Sequence, residues 1–209
     1  MADVRSARFS NLFATPLIVH VWDDAAALNA ELTTCILTHR AAEAGERKSN
    51  EGGWHSQTGE LEFCGAAGRM LRRHMYELAD EATRRVLLEA GQPLRPMRWT
   101  LDAWANINEE ADFNRVHTHP GCTWSGTYYV DPGDPPVTRE QGTPIAFFDP
   151  CQGRANTFLH PEVANFVTLR PEAGLMVLFP SYLPHMVYPH KGGRPRISIA
   201  FNLRREPFP

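Results

Sequence analysis

Two histidines separated by one residue are the sharpest chemical signal in the chain. In an extended strand, residues two apart point to the same side, so His117 and His119 can direct both imidazoles at one point. His185 follows the apolar run 175–184 and stands where a more distant strand is expected to end. Imidazole binds Fe, Zn, Cu and Ni alike, so the pattern predicts a metal site but does not name the metal.

The C-terminal strand is what raises this pattern above chance clustering among nine histidines. Over residues 195–202, strict alternation puts apolar side chains on one face, namely Ile197, Ile199 and Phe201. That face must be covered by helices, so Arg196 and Ser198 are expected to point into the interior. A buried arginine needs an anion, because an unpaired buried charge is costly. A carboxylate ligand satisfies it with two parallel hydrogen bonds.

A second strand, residues 123–130, brings an aromatic hydroxyl to the same region. Alternation places Ser125, Thr127 and Tyr129 on one face, so Tyr129 is expected to donate to the same carboxylate. The competing interpretation is a barrel-filling tyrosine whose hydroxyl bonds a backbone carbonyl. Asn108 and Asn114 are secondary candidates for ligand contact, since asparagine is also common at strand ends.

The remaining histidines have no same-face partner in the sequence pattern, and we interpret them as packed or surface residues: His20, His39, His74, His160 and His190. Asp112 is the nearest upstream carboxylate, but it precedes His117 by five residues and lacks the register of a ligand. Trp54 and His55 lie in a predicted loop, where they either form a lid or pin the loop to the barrel.

The elements that must position these residues divide the chain into two parts. Residues 13–22 are β-prone, residues 23–45 and 65–89 show helical periodicity, and residues 45–62 are typical of a long loop. From residue 93 onward, short β-prone runs alternate with Pro, Gly and Asp. We therefore predict a mainly β fold with some α: a jelly-roll barrel, or double-stranded β-helix, with the N-terminal helices packed on one sheet.

Length and composition add limits to this fold prediction. We expect one domain over residues 1–209, with a helical support region (1–92) and a jelly-roll core (93–209). Residues 132–144 and 150–163 are predicted long loops that carry substrate contacts. The net charge of −3, with scattered basic residues, gives no indication of a nucleic-acid partner and does not exclude one.

Cysteine usage and hydropathy bear on location. Four cysteines without a CxxC pair, in a chain of this size, predict no stabilising disulfide and favour a reducing cytoplasm. No run of about 18 apolar residues predicts a membrane span. The sequence leaves the oligomeric state open, with a homodimer among the expectations.

The residues just described resemble the 2-oxoglutarate and Fe(II)-dependent oxygenase superfamily, in particular a bacterial and phage subgroup with HxHP and SGxYY motifs. Here these motifs are His117-Thr118-His119-Pro120 and Ser125-Gly126-Thr127-Tyr128-Tyr129. The resemblance implies a jelly-roll hydroxylase that uses O2, with Fe(II) held by the three histidines. It also implies 2-oxoglutarate anchored by Arg196 in an RxS pattern with Ser198, and touched by Tyr129.

One position departs from the superfamily pattern, because His119 replaces the usual carboxylate ligand. A three-histidine site is less anionic, which is expected to weaken Fe(II) binding and alter its redox behaviour. Two alternatives therefore stay open: a cupin-like metalloprotein that uses Zn or Fe without 2-oxoglutarate, and a non-catalytic barrel that binds an anion or a partner. An inward Arg196 favours the oxygenase, and failure to retain metal would favour the non-catalytic barrel.

Overall fold

The computed structural model describes residues 13–134, 143–151 and 166–206, which form two antiparallel β-sheets and two long helices. The first half contains β1 (Ile18–Val21), α1 (Ala25–Ala42), β2 (Asn50–Glu51), β3 (Trp54–His55), a 3-10 turn (Glu62–Cys64) and α2 (Gly65–Glu89). The second half contains β4 (Trp99–Asn108), β5 (Phe113–His117), β6 (Trp124–Asp131), β7 (Ile145–Phe148), β8 (Phe166–Leu169), β9 (Leu175–Pro180), β10 (His185–Val187) and β11 (Arg196–Arg205).

The sheets have the strand orders β1-β9-β6-β11-β4-β3 and β2-β5-β10-β7-β8. Side chains of both sheets meet in an inner apolar cluster, to which the six-stranded sheet contributes Val177 and Phe179 and the five-stranded sheet Ile145 and Phe147. This two-sheet arrangement with flanking helices confirms the predicted jelly-roll class. The assignment of residues 1–209 to one domain stays a prediction.

Both helices cover the outer face of the six-stranded sheet, as the alternation in β11 predicted. Ile197, Ile199 and Phe201 share one apolar cluster with residues of α1 and α2 such as Leu32 and Leu71. Phe201 is paired with Gly126, where any Cβ would come within 2.3 Å of its ring. Glycine at this position therefore leaves room for the Phe201 ring next to β6.

Two polar contacts fix the helices on this outer face. The indole of Trp124 donates to Thr83 Oγ1 on α2 at 2.8 Å, and the hydroxyl of Tyr128 donates to Asn29 Oδ1 on α1 at 2.7 Å. The buried polar groups on the outer face of β6 are thus paired within the fold.

The prediction of a long loop over residues 45–62 was wrong in part. Asn50–Glu51 pairs with β5 and Trp54–His55 pairs with β4, so this segment contributes a strand to each sheet. Gly52 and Gly53, with φ of +66° and +60°, make the turn between them. Strands of two residues are too short to produce a detectable alternation.

The prediction that the cysteines form no disulfide was also wrong. Cys35 on α1 and Cys64 in the 3-10 turn form a disulfide with a Cα–Cα distance of 5.3 Å. The spacing of the cysteines in the sequence gave no sign of this disulfide, because the pair forms only when α1 packs beside the turn that starts α2.

No helix among the described ranges is long and apolar enough to cross a bilayer. Most of the two predicted substrate loops, and His160, lie outside the described residues.

Candidate functional site

The three predicted metal ligands converge at one end of the space between the sheets. His117 ends β5 and His185 begins β10, and these two residues are direct partners in the strand pairing. His119 follows two residues later, where its backbone N–H donates to the carbonyl of Ser181 at 2.9 Å. One nitrogen from each ring lies within 4.8 Å of the other two. Small rotations would bring them to a common metal at about 2.1 Å.

The Nδ1 atoms of two of these rings contact backbone carbonyls. His117 Nδ1 lies 2.7 Å from the oxygen of Arg115, and His185 Nδ1 lies 2.9 Å from the oxygen of Leu183. A carbonyl only accepts, so Nδ1 carries the proton in both rings and Nε2 keeps its lone pair for a metal. The ring of His119 differs, because its Nδ1 lies 3.3 Å from the side-chain nitrogen of Asn202.

Burial keeps all three imidazoles neutral. Desolvation lowers the pKa of His117 and, with the neighbouring His117 charge as a smaller cause, lowers the pKa of His119 to about 4. The pKa of His185 falls to about 3, first through desolvation and then through the other two histidines. Neutral imidazole is the form that binds metals, so protons compete weakly for this site near neutral pH.

Arg196 lies deeper between the sheets and is only 2% exposed. Its Nη2 donates to Asn108 Oδ1 at 2.8 Å, whereas Nε and Nη1 are buried and have no partner among the described residues. Desolvation lowers its pKa from the ordinary value. A buried guanidinium with two unpaired nitrogens is a site prepared for an anion, because the desolvation cost is offset only when those donors are satisfied.

Tyr129 supplies a further unused donor beside this arginine. Its side chain is 1% exposed, and its hydroxyl has no hydrogen-bond partner in the described ranges. Burial raises its pKa to about 12, so the hydroxyl stays protonated and can donate. Ser198, also buried, is the β11 partner of Tyr129. The alternative in which Tyr129 bonds a backbone carbonyl is therefore not what the structure shows.

A single cavity connects the three histidines to the buried arginine and tyrosine. All six residues predicted from the sequence line it: His117, His119, His185, Tyr129, Arg196 and Ser198. Asn114 also lines it, whereas Asn108 acts through its bond to Arg196. No aspartate or glutamate contributes to this lining within the described ranges. The cavity is thus electropositive, which suits an acidic ligand.

Sequence reasoning missed several residues that shape this region. Trp104, Asn106 and Thr127 line the cavity, and Asn202 contacts His119. Trp104 and Asn106 alternate along β4, and Asn202 shares the predicted inward face of β11. The signal was therefore present, but a period of two alone does not distinguish a wall residue from a ligand contact.

The other described histidines are packed or structural, as predicted. His74 stacks on Trp22 and His39 stacks on Phe63, both on the helical side of the molecule. His190 bonds Thr143 and the carbonyl of Arg194. Of the two alternatives for Trp54, pinning to the barrel is supported, because Trp54 pairs with Ile107 of β4.

Comparison with known proteins finds a family that part of the chain resembles. Residues 102–202 match the family described as "Putative 2OG-Fe(II) oxygenase". Over these residues the barrel is similar to that oxygenase family. The match spans the histidine pair, the distal histidine and the inward arginine, so it covers every predicted site residue. No curated protein matches the chain.

Solved structures with a similar fold include two prolyl hydroxylases and a protein with 2-oxoglutarate bound. A Pseudomonas putida prolyl-4-hydroxylase has a TM-score of 0.64 and 18% identity, covering 91% of this chain and 93% of that one. A Trichoplax adhaerens prolyl hydroxylase in complex with a hypoxia inducible factor peptide has a TM-score of 0.62 and 13% identity, covering 90% and 83%. HygX from Streptomyces hygroscopicus, with nickel and 2-oxoglutarate bound, has a TM-score of 0.54 and 10% identity, covering 91% and 83%.

The family match confirms the expectation of an oxygenase with Fe(II) and 2-oxoglutarate as cofactors. The residues present fit both groups on structural grounds. Three neutral imidazoles converge as metal donors, and the orphaned donors of Arg196 and Tyr129 fit a carboxylate. The replacement of a carboxylate ligand by His119 leaves a donor at that position, so it changes the charge of the site but not its ligand count.

Proposed function

We propose that this oxygenase is a hydroxylase whose iron is bound by His117, His119 and His185. In the same site, Arg196, Ser198 and Tyr129 bind the distal carboxylate of 2-oxoglutarate. One observation carries this proposal: a single cavity joins three converging neutral imidazoles to a buried arginine with two unused donors. A metal and a dicarboxylate would satisfy every one of these groups.

Each residue has a distinct task in this proposal. Nε2 of His117 and of His185 is presented to the metal because the backbone holds Nδ1 of both rings. Asn108 holds Nη2 of the Arg196 guanidinium, which leaves the donors of Nε and Nη1 available for an anion. The hydroxyl of Tyr129 donates to the same anion. Apolar side chains of the inner cluster, such as Val177 and Phe179, exclude water from the space around it.

Bound iron and 2-oxoglutarate supply the oxidising chemistry: one O2 is consumed, 2-oxoglutarate gives succinate and CO2, and the substrate C–H becomes C–OH. The contribution of the chain is to orient the cosubstrate and to keep the site dry. The buried arginine contributes to the orientation, because its attraction to a carboxylate is stronger where water is excluded.

The substrate is a peptide or a small molecule, and the prolyl hydroxylases of the same fold make a peptide one class to test first. A homodimer and a cytoplasmic location also stay predictions. Sedimentation of the purified protein and fractionation of the cells that make it are the measurements that check them.

The direct test of the proposal is 2-oxoglutarate binding by the metal-loaded protein. Loaded with Mn(II), a substitute that does not turn over, the wild type should bind 2-oxoglutarate in calorimetry, and Arg196→Ala should bind at least about 30-fold more weakly. Reconstituted with Fe(II) in air, the wild type should form succinate. Tyr128→Phe, on the other face of the sheet, is the matched control and should bind normally.

One specific observation favours a second candidate. Because no carboxylate lines the described part of the cavity, the site resembles a three-histidine metalloprotein that does not use 2-oxoglutarate. If the protein retains one metal per chain but shows no 2-oxoglutarate affinity, this second candidate replaces the hydroxylase proposal.

A further inference from the structure

The three candidate ligands differ in what holds the ring nitrogen that faces away from the metal. For His117 and His185 the partner is a backbone carbonyl two residues earlier in the chain. For His119 it is a side chain from another strand, Asn202 on β11, whose nitrogen lies 3.3 Å from Nδ1. A carbonyl accepts only, whereas an amide can present either a donor or an acceptor.

This difference bears on which nitrogen of His119 carries the proton. With its NH2 group toward the ring, as in the structure, Asn202 donates to Nδ1, and the proton of the neutral imidazole then sits on Nε2. In that tautomer Nε2 has no lone pair for a metal. With the amide turned over, the oxygen of Asn202 accepts from Nδ1–H, and Nε2 becomes a ligand.

The surroundings of Asn202 accommodate both orientations. The side-chain oxygen of Asn202 accepts a hydrogen bond of 2.7 Å from the hydroxyl of Ser125, and the two residues lie opposite each other in the pairing of β11 with β6. A hydroxyl both donates and accepts, so Ser125 can equally take a hydrogen bond from the turned NH2 group. Rotation of the Asn202 amide by 180° does not change the shape of the side chain, and it leaves no polar atom of Asn202 or Ser125 unpaired.

We propose that Asn202 is a positioning residue that selects the tautomer of His119, with Ser125 supporting the amide in either orientation. This inference rests on the proposed function, because it gives His119 its task as the third ligand. His117 and His185 are held ready for metal at all times. His119 joins them only when the amide turns, so metal capture is coupled to one side-chain rotation on β11.

The variants Asn202→Leu and Asn202→Asp separate positioning from packing. Leucine removes the partner of Nδ1 and should weaken Co(II) binding about 10- to 100-fold, the usual effect of losing such a partner. Aspartate only accepts, so it should fix Nδ1–H permanently and bind Co(II) at least as tightly as the wild type. A residue that merely fills space would not show this rescue by the charged variant.

Asn29→Leu is a closely matched control. Asn29 and Asn202 are both 9% exposed. The amide oxygen of Asn29 accepts a hydrogen bond of 2.7 Å from the Tyr128 hydroxyl, and that of Asn202 accepts one of the same length from the Ser125 hydroxyl. Asn29 lies on α1 against the outer face of the sheet. Its replacement should lower the melting temperature and leave the Co(II) dissociation constant unchanged.

The experiment combines Co(II) titration against a competing chelator with long-range 1H–15N NMR of the imidazoles, which reports the protonated nitrogen directly. In the metal-free wild type, His119 should carry its proton on Nε2 and His117 and His185 on Nδ1; Zn(II) should move the His119 proton to Nδ1. In Asn202→Asp, His119 should carry Nδ1–H even without metal. If Asn202→Leu folds poorly, Ser125→Ala and Asn202→Asp still test the coupling.

Two outcomes separate this inference from the function on which it rests. If the wild type binds Co(II) and the Asn202 variants match it in affinity and tautomer, the positioning role is wrong and the metal site stands. If the wild type binds no Co(II), the metal site and the positioning role are both overturned.

Discussion

Two neighbouring tyrosines of β6 show how the two faces of one sheet differ. Tyr128 points outward, is fully buried under the helices, and donates to Asn29. Tyr129 points inward, is just as buried, and its hydroxyl has no partner within the described ranges. The buried polar groups on the outer face of β6 are paired, whereas on the inner face the hydroxyl of Tyr129 and two nitrogens of Arg196 have no partner among the described residues. Unpaired buried groups cost stability, so we expect a ligand to satisfy Tyr129 and Arg196, which line one cavity.

The two faces should therefore respond differently to substitution. Changes on the outer face are expected to lower the free energy of unfolding and leave ligand binding intact. Changes on the inner face are expected to remove binding at little cost to stability. The first three predictions below test this contrast with one residue from either side.

The largest effect is expected at the metal site. His119→Ala should lower metal affinity by at least about 100-fold because one of three ligands is lost, whereas His119→Asp should retain iron, since a carboxylate also fits that position. His74→Ala, at a buried histidine of the helical side, is the control and should keep the metal. Metal content after dialysis measures all three. Normal metal retention by His119→Ala would show that His119 is not a ligand.

Arg196→Met should separate binding from stability. Loss of a charge-assisted pair lowers 2-oxoglutarate affinity by about 2–5 kcal/mol, or roughly 30-fold and more. The free energy of unfolding without ligand should not fall by more than about 1 kcal/mol, because the variant also removes an unpaired buried charge. Leu71→Ala, in the helix-side core, should do the reverse and lose about 2–5 kcal/mol of stability. Calorimetry and urea unfolding test both; a large stability loss in Arg196→Met would contradict the contrast.

The two tyrosines give the most direct comparison. Tyr128→Phe leaves Asn29 without its hydroxyl partner and should cost about 1–3 kcal/mol of stability, with 2-oxoglutarate binding unchanged. Tyr129→Phe loses no existing hydrogen bond, so its stability should stay level or rise, while 2-oxoglutarate affinity should fall about 5- to 10-fold. Calorimetry of 2-oxoglutarate binding and urea unfolding of both variants test this prediction. Equal stability losses in both variants would remove the distinction between the faces.

The smallest effect concerns pH. The folded-state pKa of His185 is about 3, below the ordinary 6.5, so the unfolded chain takes up its proton first as the pH falls. The stability from this neutral histidine is complete above pH 6.5 and decreases below it, by about 1 kcal/mol between pH 6.5 and 5.5. Urea midpoints of the metal-free protein at these two pH values should show this decrease, and His185→Gln should reduce it. An unchanged slope would show that His185 is not buried as a neutral group.

Alternation explains why so much of the inner face was predictable from the sequence. Strands have a strict period of two, so the inward direction of Arg196 and Ser198 followed once Ile197 and Ile199 had to be covered. The same rule placed Tyr129 opposite to Tyr128. Antiparallel pairing then brought these residues to one cavity without any further information from the chain.

The parts that escaped prediction depend on contacts between elements. The disulfide of Cys35 and Cys64 requires α1 to lie beside the turn before α2, and no local pattern encodes that distance. The short strands around Gly52 exist only because β4 and β5 are there to pair with them. Asn202 faced the correct side in the prediction, but its contact with His119 depends on where the loop after β5 folds back.

The direct pairing of His117 with His185 has a consequence for how the molecule opens. β10 is a three-residue strand at the centre of the five-stranded sheet, held by few backbone hydrogen bonds of its own. A metal shared by these two histidines would tie β10 to β5 across a long stretch of chain and would favour the closed sheet by mass action. Local opening of β10 then requires metal release, so slowed amide exchange in the middle of this sheet becomes a gauge of occupancy.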